Sequence, residues 1–233
     1  LVVNRLLTEE KIPQSERVVY TFFTLTMSVN MFITGGRAGQ IMFFAAIVIL
    51  AFQYFKNSQI KATIISVGLI VIILILAYNS SGLFANRITD AFTDISSYNY
   101  NKGTAIGQRI TFFINSFELV KSSPIFGIGV GDFPIEYVKV NKIFSPEVIT
   151  TVQPHNMYML ILAQLGVVGL ASLLWIFVLQ YKIALTCNNK IISNIGVGLP
   201  LLYLVIMWSD SYLLGHYTGN LFILFSSFIY SKQ

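Results

Sequence analysis

Six stretches of this chain carry no Asp, Glu, Lys or Arg: Val18 to Gly35, Ala38 to Phe55, Ala62 to Asn86, Asn156 to Tyr181, Ile191 to Ser209 and Tyr217 to Ser231. A helix needs roughly 17 to 25 apolar residues to cross the hydrocarbon core of a bilayer, and the first five runs reach that length. The sixth is short and is expected to tilt, to lie partly in the interface, or to span with help from its neighbours. Charged residues make up only 11% of the chain, against about 25% in soluble domains, so a water-soluble surface cannot be built. The expected fold is an all-α polytopic membrane protein, with about six transmembrane helices and one large, partly helical outer loop. Residues 1–79 supply spans one to three, 80–155 the loop, and 156–233 spans four to six.

The net charge of +5 raises the question of a nucleic-acid partner, and the placement of the charges argues against one. Arg5, Lys11 and Arg17 precede the first run, Lys56 and Lys61 separate the second from the third, Lys182 and Lys190 separate the fourth from the fifth, and Lys232 follows the sixth. Six crossings put all of these on one face, and short loops rich in Lys and Arg stay in the cytoplasm. The loop from about Ser80 to Pro154 then lies outside, where its acidic and basic residues balance. The basic surplus is a topology signal. Membrane lipids are the expected surroundings, and no nucleic acid is expected as a partner. The chain opens at Leu1 with no basic region before a short apolar stretch, so no signal peptide is expected and upstream spans are expected to be missing. Its single cysteine, Cys187, excludes an internal disulfide and a cysteine-based metal cluster.

A loop this long between spans implies a function or a fold of its own. Within it Ile110, Phe113, Ile114, Phe117 and Val120 recur at helical spacing, which predicts an amphipathic helix near 107–122, stopped by Ser122, Ser123 and Pro124. Such a helix rests on a membrane surface or caps a cavity. Next comes SPIFGIGVGDFP, with Gly127, Gly129 and Gly131 alternating. No strand precedes it and no Lys-Ser or Lys-Thr follows, so both nucleotide motifs fail. A tight turn whose backbone packs closely against something is the reading that remains.

Arg37 breaks the charge pattern, sitting in the tight outer connection between two spans with Gly35, Gly36, Ala38 and Gly39 around it. An arginine that snorkels into headgroups has no need of four small neighbours, and an ionisable group at membrane depth points to function. Arg109 opens the amphipathic helix, where a solvated face accounts for it on physics alone. His155 follows Pro154 and directly precedes a long apolar helix. It either caps that helix or works there, by proton transfer near neutral pH or beside a phosphate at the helix N-terminus. Asp210 and His216 bracket the outer turn of the last two spans; they line the same outer cavity or lie in a solvated turn. Gly166 and Gly169 are spaced for helix packing, and Pro200 for a kink in the fifth span.

The glycine-flanked Arg37, the helix-opening Arg109, the segment SPIFGIGVGDF and then PHNMYMLILAQLGVVGL together resemble the O-antigen ligase and O-antigen polymerase superfamily. The resemblance runs from about Val18 to the end and corresponds to the C-terminal half of such a protein. It implies a bacterial inner-membrane glycosyltransferase, metal-independent and inverting, with its site on the periplasmic face and no cofactor. The implied donor is a glycan on undecaprenyl pyrophosphate. The implied acceptor is the lipid A core for a ligase, or a glycan for a polymerase. By motif match Arg37, Arg109 and His155 are the implied catalytic residues, with Asn156 beside them in H-N-x-Y; Asp210 and His216 complete the expected substrate-binding set.

The chemistry agrees. Negative charge grows on a departing pyrophosphate, the sequence offers no Asp-x-Asp motif to hold a metal, and arginine forks onto phosphate oxygens are the other way to neutralise it. His155 is then expected to activate the acceptor or to assist phosphate departure. The alternatives are a polysaccharide polymerase, with the same chemistry and a sugar acceptor, and a transporter of lipid-linked glycan. A transporter calls for polar groups deep in the spans, whereas polar chemistry here collects at the outer ends.

Overall fold

A computed structural model of the chain describes residues 2–8, 12–34 and 36–231, so that Lys11, Gly35 and Lys232 lie outside the described residues. The helices are α1 Val2–Thr8, α2 Gln14–Ile33, α3 Arg37–Tyr54, α4 Gln59–Ser80, α5 Gly82–Ser96, α6 Ala105–Ser122, α7 Phe133–Phe144, α8 Met157–Thr186, α9 Lys190–Ile206 and α10 His216–Ile229. Among the described residues no strand occurs. α3, α4 and α8 are long and apolar enough to cross a membrane, while α9, with 17 residues, is apolar but shorter. The chain is an all-helical integral membrane protein.

Two compact units divide it: residues 1–87, 179–205 and 226–233 form the first, and 88–178 with 206–225 the second. In the first, α3 packs on α4, and α1 and α2 pack beside α3. Phe32 of α2 is buried, with its ring in contact with those of Phe43, Phe44 and Phe84. The apolar run from Ala62 to Asn86 is not one helix. Ser81 takes extended backbone after α4. Its hydroxyl donates to the Phe32 carbonyl at 3.1 Å and accepts the Phe84 N–H at 3.3 Å. A side chain that caps the next helix while holding a neighbouring one ends the span there.

In the second unit α6 and α7 pack together. Thr104 caps α6 by accepting the Gly107 N–H at 3.1 Å. The helix is where the periodicity placed it, and a second face, largely apart from the apolar stripe, is the buried one. Thr111, Phe112, Asn115, Ser116, Leu119 and Val120 are buried, whereas Phe113, Ile114 and Phe117 are exposed. The reason is a polar core that the pattern of α6 alone does not reveal. Asn115 donates to Asn141 at 3.1 Å and to the Tyr137 hydroxyl at 3.3 Å, Ser145 donates to Asn115 at 3.3 Å, and Asn141 donates to the Val148 carbonyl at 2.8 Å. Matched amides cost little to bury. Burial raises the Tyr137 hydroxyl pKa to about 12, and the Asn115 hydrogen bond only partly opposes that rise. The outward apolar stripe, continued by exposed Ile135 and Ile143 of α7, suits a membrane surface.

α8 is the element on which the site depends, and it is broken. Gly166 has φ 64° and ψ −165°, a conformation essentially confined to glycine. In an unbroken helix the Val167 and Val168 N–H groups would bond the Ala163 and Gln164 carbonyls, four residues back. Here the glycine segment enters the gap. Ile128 and Gly129 donate to the Ala163 and Gln164 carbonyls at 2.9 and 3.1 Å, and Val167 and Val168 donate to the Pro124 and Ile125 carbonyls at 2.9 and 3.3 Å. All four backbone groups released by the break are thus satisfied, which an apolar surrounding demands. The approach leaves no room for side chains: a Cβ on Gly127 would lie 2.2 Å from Gln164 backbone, and one on Gly166 2.1 Å from the Ile125 carbonyl oxygen. Gly166, expected as a helix-packing residue inside a continuous span, is the point where the span is interrupted.

Candidate active site

Four side chains of the second unit converge at the start of α8: His155, Asp210, Arg109 and Phe112. His155 is the non-glycine residue with positive φ among those described, at 52°, an uncommon backbone state that histidine tolerates better than most. Pro154 before it is fully buried. The His155 Nδ1 lies 3.2 Å from Asp210 Oδ1, and the imidazole stacks on Phe112 with centroids 5.9 Å apart and planes 25° apart. The ring is thereby fixed on one face and at one nitrogen. A carboxylate at Nδ1 favours the tautomer with its proton there, which leaves the Nε2 lone pair for other work.

Asn156 sits where a cap must. Its Oδ1 accepts the Met159 N–H at 3.0 Å and its Nδ2 donates to the Trp208 carbonyl at 3.3 Å. The Met157 N–H donates to the Met207 carbonyl at 2.9 Å. Both ends of the Asn156 amide are engaged within the chain, and the residue is buried. Two N–H groups at the start of α8 are likewise occupied within the chain.

Arg109, in the first turns of α6, donates from Nη1 to the Ser209 carbonyl at 2.9 Å, and its Nη2 lies 3.9 Å from Asp210 Oδ2. Its side chain is 51% exposed, so a fork of N–H donors still faces outward. Asp210 therefore touches both the histidine and the arginine, and its Oδ1 also accepts the Ser211 N–H at 2.7 Å. Arg109 and His155 line one cavity of about 250 Å³, whose other walls include Ile106, Ile110, Phe113 and Trp208. The walls of this cleft combine a cation and an imidazole with apolar surface.

Arg37 is the first residue of α3 in the first unit, exposed, behind an extended Gly36. His216 opens α10 and is exposed, and it lines neither the cavity with Arg109 nor the one beyond Asp210. Sequence reasoning missed Phe112 and Ser209. Phe112 stands one position off the apolar stripe read from α6, and Ser209 contributes only a backbone carbonyl, for which no sequence signal exists.

The arrangement can hold an anion against Arg109 while His155, steadied by Asp210, accepts or returns a proton beside it. The family model described as O-antigen ligase matches residues 22–174, a segment that includes Arg37, Arg109, the glycine loop and His155. No curated protein matches the chain. The chain belongs to the O-antigen ligase family of membrane-embedded, glycan-processing enzymes.

Proposed function

We propose that the protein transfers a glycan from undecaprenyl pyrophosphate to a hydroxyl of the lipid A core, on the periplasmic face of the bacterial inner membrane, by inversion and without a metal. The observation that carries this reading is the fixed imidazole of His155 in the same cavity as the outward fork of Arg109. In the transfer, the acceptor oxygen bonds the anomeric carbon as the bond from that carbon to the phosphate oxygen breaks. The acceptor proton passes to His155 Nε2, and the electron pair of the broken bond stays on the pyrophosphate. Arg109 neutralises the charge that grows there, in a site with apolar walls where such a contact is worth more than in water. Asp210 steadies the imidazolium and keeps the ring oriented. Asn156 and Phe112 are positioning residues, since one caps the helix behind the histidine and the other bears its face. Arg37 enters through the family resemblance, and its own alanine variant tests that assignment.

The broken α8 argues against the transporter alternative. Discontinuous helices of transporters offer their freed backbone groups to substrate or ion. Here Pro124, Ile125, Ile128 and Gly129 take up those groups at the break.

The test uses the full-length protein in detergent with undecaprenyl-pyrophosphate-linked glycan, with lipid A-core acceptor supplied in one reaction and withheld in the other. A shifted lipid A band only when acceptor is present is the expected product. A ladder of longer lipid-linked glycans without acceptor would overturn it in favour of a polymerase, and neither product would reopen transport.

A further inference from the structure

A second cavity, of about 380 Å³, lies against Asp210 and is lined by Gln153, Ser211, Tyr212, Thr218 and Leu214 among others. Its character differs from that of the cleft holding Arg109. Among the described residues no lysine, arginine or histidine lines it, and the one charge they bring to it is the Asp210 carboxylate. A phosphate is therefore disfavoured, and so is a purely apolar chain, because the walls carry an amide, three hydroxyls and a carboxylate. Two of the polar groups lack partners. Ser211 is 4% exposed and its hydroxyl has no hydrogen-bond partner among the described residues, a state that costs free energy unless something fills it. The Gln153 side-chain amide, two residues before His155, likewise has none among them, as only its backbone is engaged, with Thr151. Thr218 and Tyr212, by contrast, are engaged: the Thr218 hydroxyl donates to the Tyr212 carbonyl at 2.5 Å, and the Tyr212 hydroxyl shares a hydrogen bond with Ser209. Fixed walls with spare donors and acceptors suit a neutral ligand that is dense in hydroxyls.

We propose that this cavity is a saccharide subsite, taking a sugar ring next to the reacting bond, with Gln153 and Ser211 as its hydroxyl-binding residues. The proposal rests on the glycan-transfer reading and adds to it the place where the sugar is recognised. A saccharide seated there extends past Asp210 toward His155, so the cavity serves either the acceptor's glycan or the donor's.

Steady-state transfer by the full-length protein distinguishes the two sources. Ser211→Ala and Gln153→Ala are measured with lipid A-core varied at saturating undecaprenyl-pyrophosphate-linked glycan, and then the reverse. Ser211→Ala removes an atom without a partner, so folding is not at stake. Each variant is expected to raise one KM by about 3- to 10-fold, the size of a single hydrogen bond, with kcat nearly unchanged. A rise in the lipid A-core KM assigns the cavity to the acceptor, and a rise in the donor KM assigns it to the donor glycan. Both KM values unchanged in both variants, or a fall in kcat alone, overturns the proposal. His155→Ala, run alongside, separates the two ideas. Wild type without any transfer product would sink the glycan-transfer reading itself, and His155→Ala with wild-type transfer would remove only the role given to the histidine. If that variant is inactive while Ser211→Ala and Gln153→Ala match wild type, only the subsite fails.

Discussion

α4 and α8 are both long, apolar and free of charged residues through their middles, yet they serve the protein in opposite ways. α4 runs unbroken from Gln59 to Ser80, and its internal glycine, Gly68, has nothing within 4 Å of where a Cβ would stand. α8 is cut at Gly166, and the cut is filled by backbone from the segment after α6. A membrane helix needs only its own hydrogen bonds to be stable. Replacing two of them with bonds to a distant loop does something else: it ties the end of α6 to the helix that begins beside His155. Since Arg109 stands near the start of α6, the lock sets the arginine relative to the histidine. The plain helix is scaffold; the interrupted one is a positioning device.

Substitutions at the three glycines test that contrast most sharply. Gly166→Ala is expected to have the largest effect, because it forces a side chain into a glycine-only conformation and against the Ile125 carbonyl; a loss of about 3 kcal/mol or more follows, visible as a lowered detergent-melting temperature together with lost transfer. Gly127→Ala meets Gln164 backbone in the same seam and is expected to do nearly as much harm. Asp210→Asn leaves the seam alone and weakens only the orientation of His155, so folding should be normal while kcat falls on the order of 100-fold. Gly68→Ala in α4 is expected to change neither melting nor transfer. If Gly166→Ala and Gly68→Ala behaved alike in both measurements, the distinction between the two helices would be lost.

These differences also mark what the sequence could and could not reveal. Membrane-spanning character was legible in the charge-free runs, because period and polarity directly reflect the surrounding solvent. The tight packing of the glycine segment was legible too, since alternating glycines have few other uses. What it packs against was not, because the partners are the Ala163 and Gln164 carbonyls and the Val167 and Val168 N–H groups, main-chain atoms that carry no side-chain signal. The second, buried face of α6 was hidden for a similar reason: Asn115 gives no apolar signal, and its partners Tyr137 and Asn141 come from α7. At the site, His155 could be singled out from its residue type and setting and Arg109 only through the family motif, and the structure places both in one cavity. The role of Asp210 as the group that joins them needed the fold, since it stands 55 residues from one and 101 from the other in the chain. His216, expected on the same grounds as Asp210, opens α10 outside both cavities.

The most direct measurement is transfer by His155→Ala and by Arg109→Ala in the full-length protein, with membrane insertion and melting temperature checked in the same preparations. Both variants should insert and keep a cooperative melt, with that of His155→Ala somewhat lowered by the positive φ, while transfer falls by 100-fold or more, on the order expected for removing a general base or a charge-stabilising group. Transfer near the wild-type rate in either variant would contradict a site built on the fixed imidazole and the outward guanidinium.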